Sequence, residues 1–291
     1  MGNAASKTTD ILNLINKTLE LPTIPEVLTK LNGVISDDGS SADDVAKVIS
    51  VDPSVSTNIL RIVNSAYYGL QVRVSSVSLA ISVMGFTMTR KIALKAAVFS
   101  VFGKNNKIKI PHFDPLGFWC HSIFTGVAAR ILGKHSSVFA ESHGEDLYVC
   151  GLLHDIGKII MVEKASKEYC EVLAEAVATG RPETEIEREY FGFTHADVGS
   201  VLAIKWFLPE DLTIAIRYHH TPDKDPFHRS LSSLIHIADH LAWSAGNPST
   251  KGTSAQILQH EAYDQVGLEP SVVEELLPEI REDFAATELP S

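Results

Sequence analysis

The chain has 291 residues, 45% of them hydrophobic and 21% charged, with a formal net charge of −11. That balance is ordinary for a folded globular protein and excludes intrinsic disorder, while the length suits two packed lobes better than one average domain. No apolar run approaches the ~20 residues needed to cross a bilayer, and Met1 to Asp10 lacks the basic-then-apolar order of a secretory signal.

The charge is unevenly spread. Up to Ile110 there are 12 basic and 8 acidic residues, a balance of +4, which leaves −15 for the rest. An acidic second half argues against sequence-independent nucleic-acid binding. The basic stretch Arg90, Lys91, Lys95, Lys104, Lys107 and Lys109 reads as a solvated helix face and connector. Cys120, Cys150 and Cys170 lack C-x-x-C spacing, so each reads as a small buried hydrophobe and a reducing cytoplasm is the expected compartment. Met1-Gly2-Asn3-Ala4-Ala5-Ser6 fits the N-myristoylation pattern, which is short and fits an ordinary start equally well.

The apolar spacing predicts an all-α fold. Ile11, Leu12, Ile15 and Leu19 recur at helical spacing, and Thr23 with Pro25 caps a helix carrying Val27, Leu28, Leu31 and Ile35. Ser41 opens Ala42 to Ile49, with Asp43 and Asp44 suited to its first turn. Asp52-Pro53 precedes Val55, Ile59, Leu60 and Val63; Ser75 or Ser76 starts another helix, and Thr87 a longer one through Phe102. Gly103 to Pro115, rich in Lys, Asn and Pro, is the expected lobe boundary. Beyond it Pro115 starts a helix through Leu132, and Glu145 and Asp146 precede one carrying Leu147, Cys150, Leu153 and His154. Thr194 caps His195 to Phe207, Pro209 starts a helix ending at His219-His220, and further helices span Ser230 to Trp243 and Ser271 to Phe284.

All 12 histidines lie at or after His112. His154 shares a face with Leu147, Cys150 and Gly151; Asp239 follows Ile235 and Leu231 on an apolar side; His195 precedes Gly199 and Leu202 on one stripe. An aspartate turned inward is costly unless paired or bound to a cation. On a continuous helix, His154 and Asp155 diverge by about 100°. They then flank one metal, or place the two-oxygen carboxylate between two. Imidazole with carboxylate suits iron, manganese or zinc rather than calcium or magnesium, and the absence of thiolates disfavours a structural zinc site. The bland alternative is a set of hydrogen-bonded core histidines, with His219-His220 as a solvated helix end. His112, His135, His143, His228, His236, His240 and His260 are read as non-ligands.

The segment Gly151-Leu152-Leu153-His154-Asp155-Ile156-Gly157-Lys158 resembles the hallmark of the HD superfamily of metal-dependent phosphohydrolases. Leu21-Pro22-Thr23-Ile24-Pro25, Asp52-Pro53 and Asn64-Ser65-Ala66-Tyr67-Tyr68-Gly69 resemble the HDOD family of bacterial signalling proteins. So do Phe118-Trp119-Cys120-His121-Ser122, His195-Ala196-Asp197-Val198-Gly199 and Ala215-Ile216-Arg217-Tyr218-His219-His220. The resemblance runs from about Leu14 to Trp243. It implies an N-terminal helical lobe (14–110) packed on an HD-like metal-binding core (111–245), with a C-terminal helical extension (246–291). It also implies metal ligation by His121, His154, Asp155 and Asp239. Likeness to HD-GYP phosphodiesterases adds His195, His219 and His220 for a further metal, with Asp155 as the bridge. Lys158 would steady a substrate phosphate; its bland reading is a surface lysine. The Gly-Tyr-Pro loop of HD-GYP enzymes is missing, replaced by Thr221-Pro222-Asp223-Lys224-Asp225-Pro226-Phe227, which puts cyclic di-GMP hydrolysis in doubt. The expected function is a cytoplasmic regulatory protein that holds one or two divalent ions and acts through signalling partners. The alternative is a metal-dependent phosphohydrolase of a nucleotide or cyclic dinucleotide, with Asp155 and Lys158 catalytic.

Overall fold

Helical spacing of apolar residues dictates helices, and among the described residues no strand occurs. A computed structural model of the chain describes residues 15–17, 19, 21, 26–35, 37, 39–51, 56, 59, 60, 63, 64, 70, 74–98, 110–139, 144–247, 249, 250 and 257–287. Several expectations fall outside them: the Met1–Ser6 pattern, the Thr23 and Pro25 cap, Asp52-Pro53 with Val55, Ser65–Gly69, the 103–109 connector and His143. The chain divides into two compact units, Thr23–Lys104 and the remainder.

The Thr23–Lys104 unit holds α1 (Glu26–Ile35), α2 (Ala42–Ile49) and α3 (Val77–Val98), which pack on one another. Its buried residues include Leu28, Leu31, Val45, Ile49, Ile59, Val63, Ala80 and Ile81. Helix α2 begins where a capping box predicts: the Ser41 hydroxyl accepts from Asp44 N–H, and Asp44 Oδ2 accepts from Ser41 N–H at 3.1 Å. Helix α3 is broken at Gly85, whose φ of +79° only glycine adopts readily. The two helices expected from Ser76 and Thr87 are therefore its two arms. Asn64 clamps the chain on either side of the 65–73 segment: its amide donates to Leu60 and Val74 carbonyls at 2.7 Å and its oxygen accepts from Val74 N–H at 2.8 Å.

In the larger unit the elements are α4 (Pro115–His135), α5 (Gly144–Leu153), α6 (Ile156–Lys164), α7 (Ser166–Thr179), α8 (Glu183–Phe191), α9 (His195–Lys205), α10 (Glu210–Tyr218), α11 (Arg229–Ser244), α12 (Glu261–Val266) and α13 (Pro270–Ala285). Asp114 caps α4 and Pro115 occupies its first turn. Helix α4 is apolar nearly all round, as a central helix must be, and α5, α11 and α13 pack against it. It meets α5 through glycines: a Cβ on Gly126 would lie 2.8 Å from the Tyr148 carbonyl, and one on Gly151 2.7 Å from the Thr125 carbonyl. The crossing of α6 and α9 is tighter, since a Cβ on Gly157 would fall inside the His195 carbonyl. Phe118, Phe124, Tyr169, Phe193 and Trp206 fill the interior. Cys150 is buried, as expected; Cys120 and Cys170 are only partly so.

Candidate metal centre

The His154-Asp155 pair does not lie within a continuous helix. Helix α5 ends at Leu153 and α6 begins at Ile156, with Asp155 in the break at φ −97°, ψ 9°. The break lifts the 100° divergence that a helix imposes, and both side chains reach one centre: His154 Nε2 is 3.6 Å from Asp155 Oδ2. Gly157 and Gly199 then hold α6 against α9, which places His195, the first residue of α9, on the far side of Asp155.

Two groups result, and Asp155 serves both. His121 from α4, His154 and Asp239 from α11 form the first. His121 Nε2 lies 3.1 Å from Asp239 Oδ1, 3.2 Å from His154 Nε2 and 3.8 Å from Asp155 Oδ2. His195, His219 and His220, the last two at the end of α10, form the second with Asp155. Asp155 Oδ1 is 3.1 Å from His195 Nε2 and 3.5 Å from His219 Nε2, and His195 and His220 Nε2 atoms are 2.9 Å apart. All seven expected ligands are thus brought together.

The histidine rings are held from behind. His121 Nδ1 is 2.8 Å from the Asn247 carbonyl, His154 Nδ1 2.7 Å from Gly151 and His219 Nδ1 2.7 Å from Ile216. Each carbonyl can only accept, so each Nδ1 carries the proton and each Nε2 lone pair faces the centre. His195 differs: its Nδ1 faces both oxygens of Glu187 at 2.8 and 2.9 Å. His236, read as a non-ligand, donates from Nδ1 to the His219 carbonyl at 2.7 Å and accepts from Gln259 N–H at 3.0 Å, which leaves it no free nitrogen.

Electrostatics follow from burial and neighbours. Burial keeps His219 neutral down to about 4, despite Asp155 beside it. Burial, reinforced by His219 and His195, pushes His220 well below the usual imidazole range. For His195 burial is outweighed by Glu187, with Lys158 opposing and Asp155 assisting, and the ring rises to about 9. Burial would raise Asp155, but Lys158, His154 and His195 hold it well below the usual carboxylate range. His121 and His154 do the same for Asp239 against its own burial.

Lys158 is not a surface lysine: it is 3% exposed, 2.8 Å from Asp155 Oδ2, 3.4 Å from Glu183 Oε2, and donates to Ser249 Oγ at 2.7 Å. Its contact with Asp155 is one of charge, at an angle outside hydrogen bonding. Sequence reasoning missed Glu183, Glu187 and Ser249, and it missed helices α6, α7 and α8. Glu183 and Glu187 are spaced i, i+4, but in Glu183–Phe191 they sit among other charged residues that a solvated face would carry equally well.

Whether a metal fits is decided by the polar atoms left over. Asp155 Oδ1 and Oδ2, His219 Nε2 and His220 Nδ1 are buried with no hydrogen-bond partner among the described residues. An orphaned buried polar atom costs roughly 1–3 kcal/mol, so four within these two groups call for partners of their own. The facing Nε2 atoms of His121 and His154, at 3.2 Å, and of His195 and His220, at 2.9 Å, each need a proton or a cation between them. A divalent cation satisfies both conditions, and the imidazole and carboxylate donors fit iron, manganese or zinc.

Comparison with known proteins agrees with this architecture. The chain is 25% identical over 221 residues to an uncharacterised protein of Treponema pallidum (strain Nichols), covering 76% of this chain and 42% of that one. It therefore spans less than half the length of that relative. Among solved structures, a proposed signal transduction protein from Marinobacter aquaeolei VT8 superposes with a TM-score of 0.73 at 22% identity, over 97% of this chain and 64% of that one. A proposed phosphohydrolase from Shewanella amazonensis SB2B does so with a TM-score of 0.68 at 22% identity, over 93% and 95% of the two chains. At these identities the likeness is one of fold. Residues 21–222, more than half of the sequence, match the HDOD domain, and the chain belongs to the HDOD domain family.

Proposed function

We propose that this chain is a signal-transduction module that holds one or two divalent ions (iron, manganese or zinc) and acts on protein partners rather than by turning over a substrate. The observation that carries this reading is the burial of the centre. His121, His154, His195 and His219 have no exposed surface, and Asp155 and Asp239 are 1% and 2% exposed. The ammonium of Lys158, the group best suited to a substrate phosphate, is engaged by Asp155, Glu183 and Ser249 instead. The missing Gly-Tyr-Pro loop after His219-His220 points the same way. When bound, the ions would neutralise Asp155 and Asp239 and tie four helix ends together. No described helix is long and apolar enough to cross a membrane. With the acidic second half and the cysteine usage, we place the module in the cytoplasm, with signalling proteins rather than nucleic acid as partners.

A phosphohydrolase of a nucleotide or cyclic dinucleotide is the second reading, and one observation favours it. Asp155 offers one oxygen to each ligand group, the bridging arrangement that two-metal phosphoryl chemistry uses. Asp155 would then hold the centre and Lys158 would orient phosphate. The test is elemental analysis of the purified chain and of His154→Ala, followed by incubation with nucleotides and cyclic dinucleotides. Metal that His154→Ala loses, with no turnover, is the expected result. Sustained hydrolysis that Asp155→Ala abolishes would establish the second reading over the first, and a metal-free wild type would sink both.

A further inference from the structure

The two ligand groups are unequal in charge. His121 and His154 are joined by Asp239 and share Asp155, so two carboxylates face two imidazoles. His195, His219 and His220 share Asp155, and Asp239 reaches only His220 among them, its Oδ2 3.7 Å from His220 Nδ1, so the second group has three imidazoles and the smaller share of carboxylate charge. The poorer group contains the histidine that is backed by a carboxylate: Glu187 takes His195 Nδ1 on both oxygens, whereas His121, His154 and His219 are backed by neutral carbonyls.

We propose that Glu187 is a positioning residue that supplies the missing negative charge to the second metal position through the His195 ring. The inference rests on the proposed metal-binding function. Glu187 is fully buried, and its oxygens are filled by His195 N–H at 2.9 Å, His195 Nδ1 and the Tyr169 hydroxyl at 3.2 Å. Glu183 also lies within ligand distance of Glu187 and His195. A cation held directly by those three would have to displace the His195 donors, and the Lys158 ammonium already faces Glu183 at 3.4 Å. Glu187 therefore acts through His195 and not as a ligand. A carboxylate hydrogen-bonded to a ligating imidazole raises its basicity and fixes its plane, and loss of such a partner typically weakens metal binding by about 10–100-fold.

The experiment counts cations and measures their affinities by chelator competition in the full chain, using zinc and the visible spectrum of cobalt(II). Wild type is expected to hold two. Glu187→Gln keeps the shape and an acceptor for Nδ1 but loses the charge; it should retain one cation at wild-type affinity and bind the second about 10–100-fold more weakly. Glu187→Asp keeps the charge with a shorter reach, and should bind the second cation more tightly than Glu187→Gln does. Should the amide variant fail to fold, the comparison of Glu187→Asp with wild type decides: a weakened second cation with an altered cobalt spectrum is expected, and an unchanged one overturns the proposal. Two cations at wild-type affinity in Glu187→Gln, or equal loss at both positions, would also overturn it. That result leaves the metal-binding function standing, whereas a wild type that takes up no metal removes both.

Discussion

Asp155 turns one oxygen towards each histidine group while Lys158 balances its charge from the side. The three residues His154, Asp155 and Lys158 were legible in the sequence because their spacing resembles a known hallmark. How they meet was not, because the helix break between Leu153 and Ile156 carries no glycine or proline to announce it. Asp155→Asn should remove the shared charge and abolish binding at both positions, read as zero metal by elemental analysis; retention of one ion would show that the groups do not depend on a bridge. Lys158→Ala would leave Asp155 and Glu183 buried without their cation. Breaking a buried ion pair from one side costs about 3–5 kcal/mol. The chelated variant should lose about that much in urea unfolding, and metal loading should recover part of it; a loss under ~1 kcal/mol would mean water replaces the lysine freely.

Helix starts were the most readable elements. Ser41 and Thr194 cap where side-chain chemistry predicts, Pro115 opens α4 as expected, and Thr194 forms a capping box with Asp197. Helices α6 to α8 were less visible, since the apolar residues of α6 after Lys158 form one short run, Ile159–Val162, and α8 reads as a solvated face. The caps also separate the units experimentally. Thr194→Ala should cost about 1 kcal/mol and weaken metal binding, because the capped helix begins with His195. Ser41→Ala should cost about as much while leaving metal content unchanged, since none of the seven ligands lies in the Thr23–Lys104 unit. Equal metal loss in both would refute this division. Gly157→Ala must move His195 or open the contact between α6 and α9. Overpacking of this kind costs about 1–3 kcal/mol, and metal content should fall with it.

Across the larger unit, opposing histidine shifts shape the pH response of the metal-free protein. His219 titrates near 4 against an ordinary 6.5, so it favours the folded state above 6.5, and that contribution is lost as pH falls towards 4. The lowered His220, Asp155 and Asp239 act in the same direction. His195, raised to about 9, contributes fully below 6.5 and loses its contribution as pH rises through 9. The chelated protein should therefore melt at its highest temperature near pH 6.5 and lower on either side; a Tm that climbs steadily to pH 9 would contradict these assignments. The all-α class was readable throughout, because apolar periodicity does not depend on long-range contacts. The Asn247 carbonyl and the Ser249 hydroxyl were not, because only tertiary structure returns the chain after α11 to the centre.

Three of the four ligand rings held through Nδ1 lean on main-chain carbonyls, those of Asn247, Gly151 and Ile216. Every amino acid carries that carbonyl, so Asn247 and Ile216 could drift to other residue types over evolutionary time without loosening His121 or His219. Glu187 has no such freedom, because its contribution resides in its side chain. Among relatives that keep all seven ligands, the imprint of ring orientation should fall on this one glutamate, with substitution at 247 and 216 passing without trace.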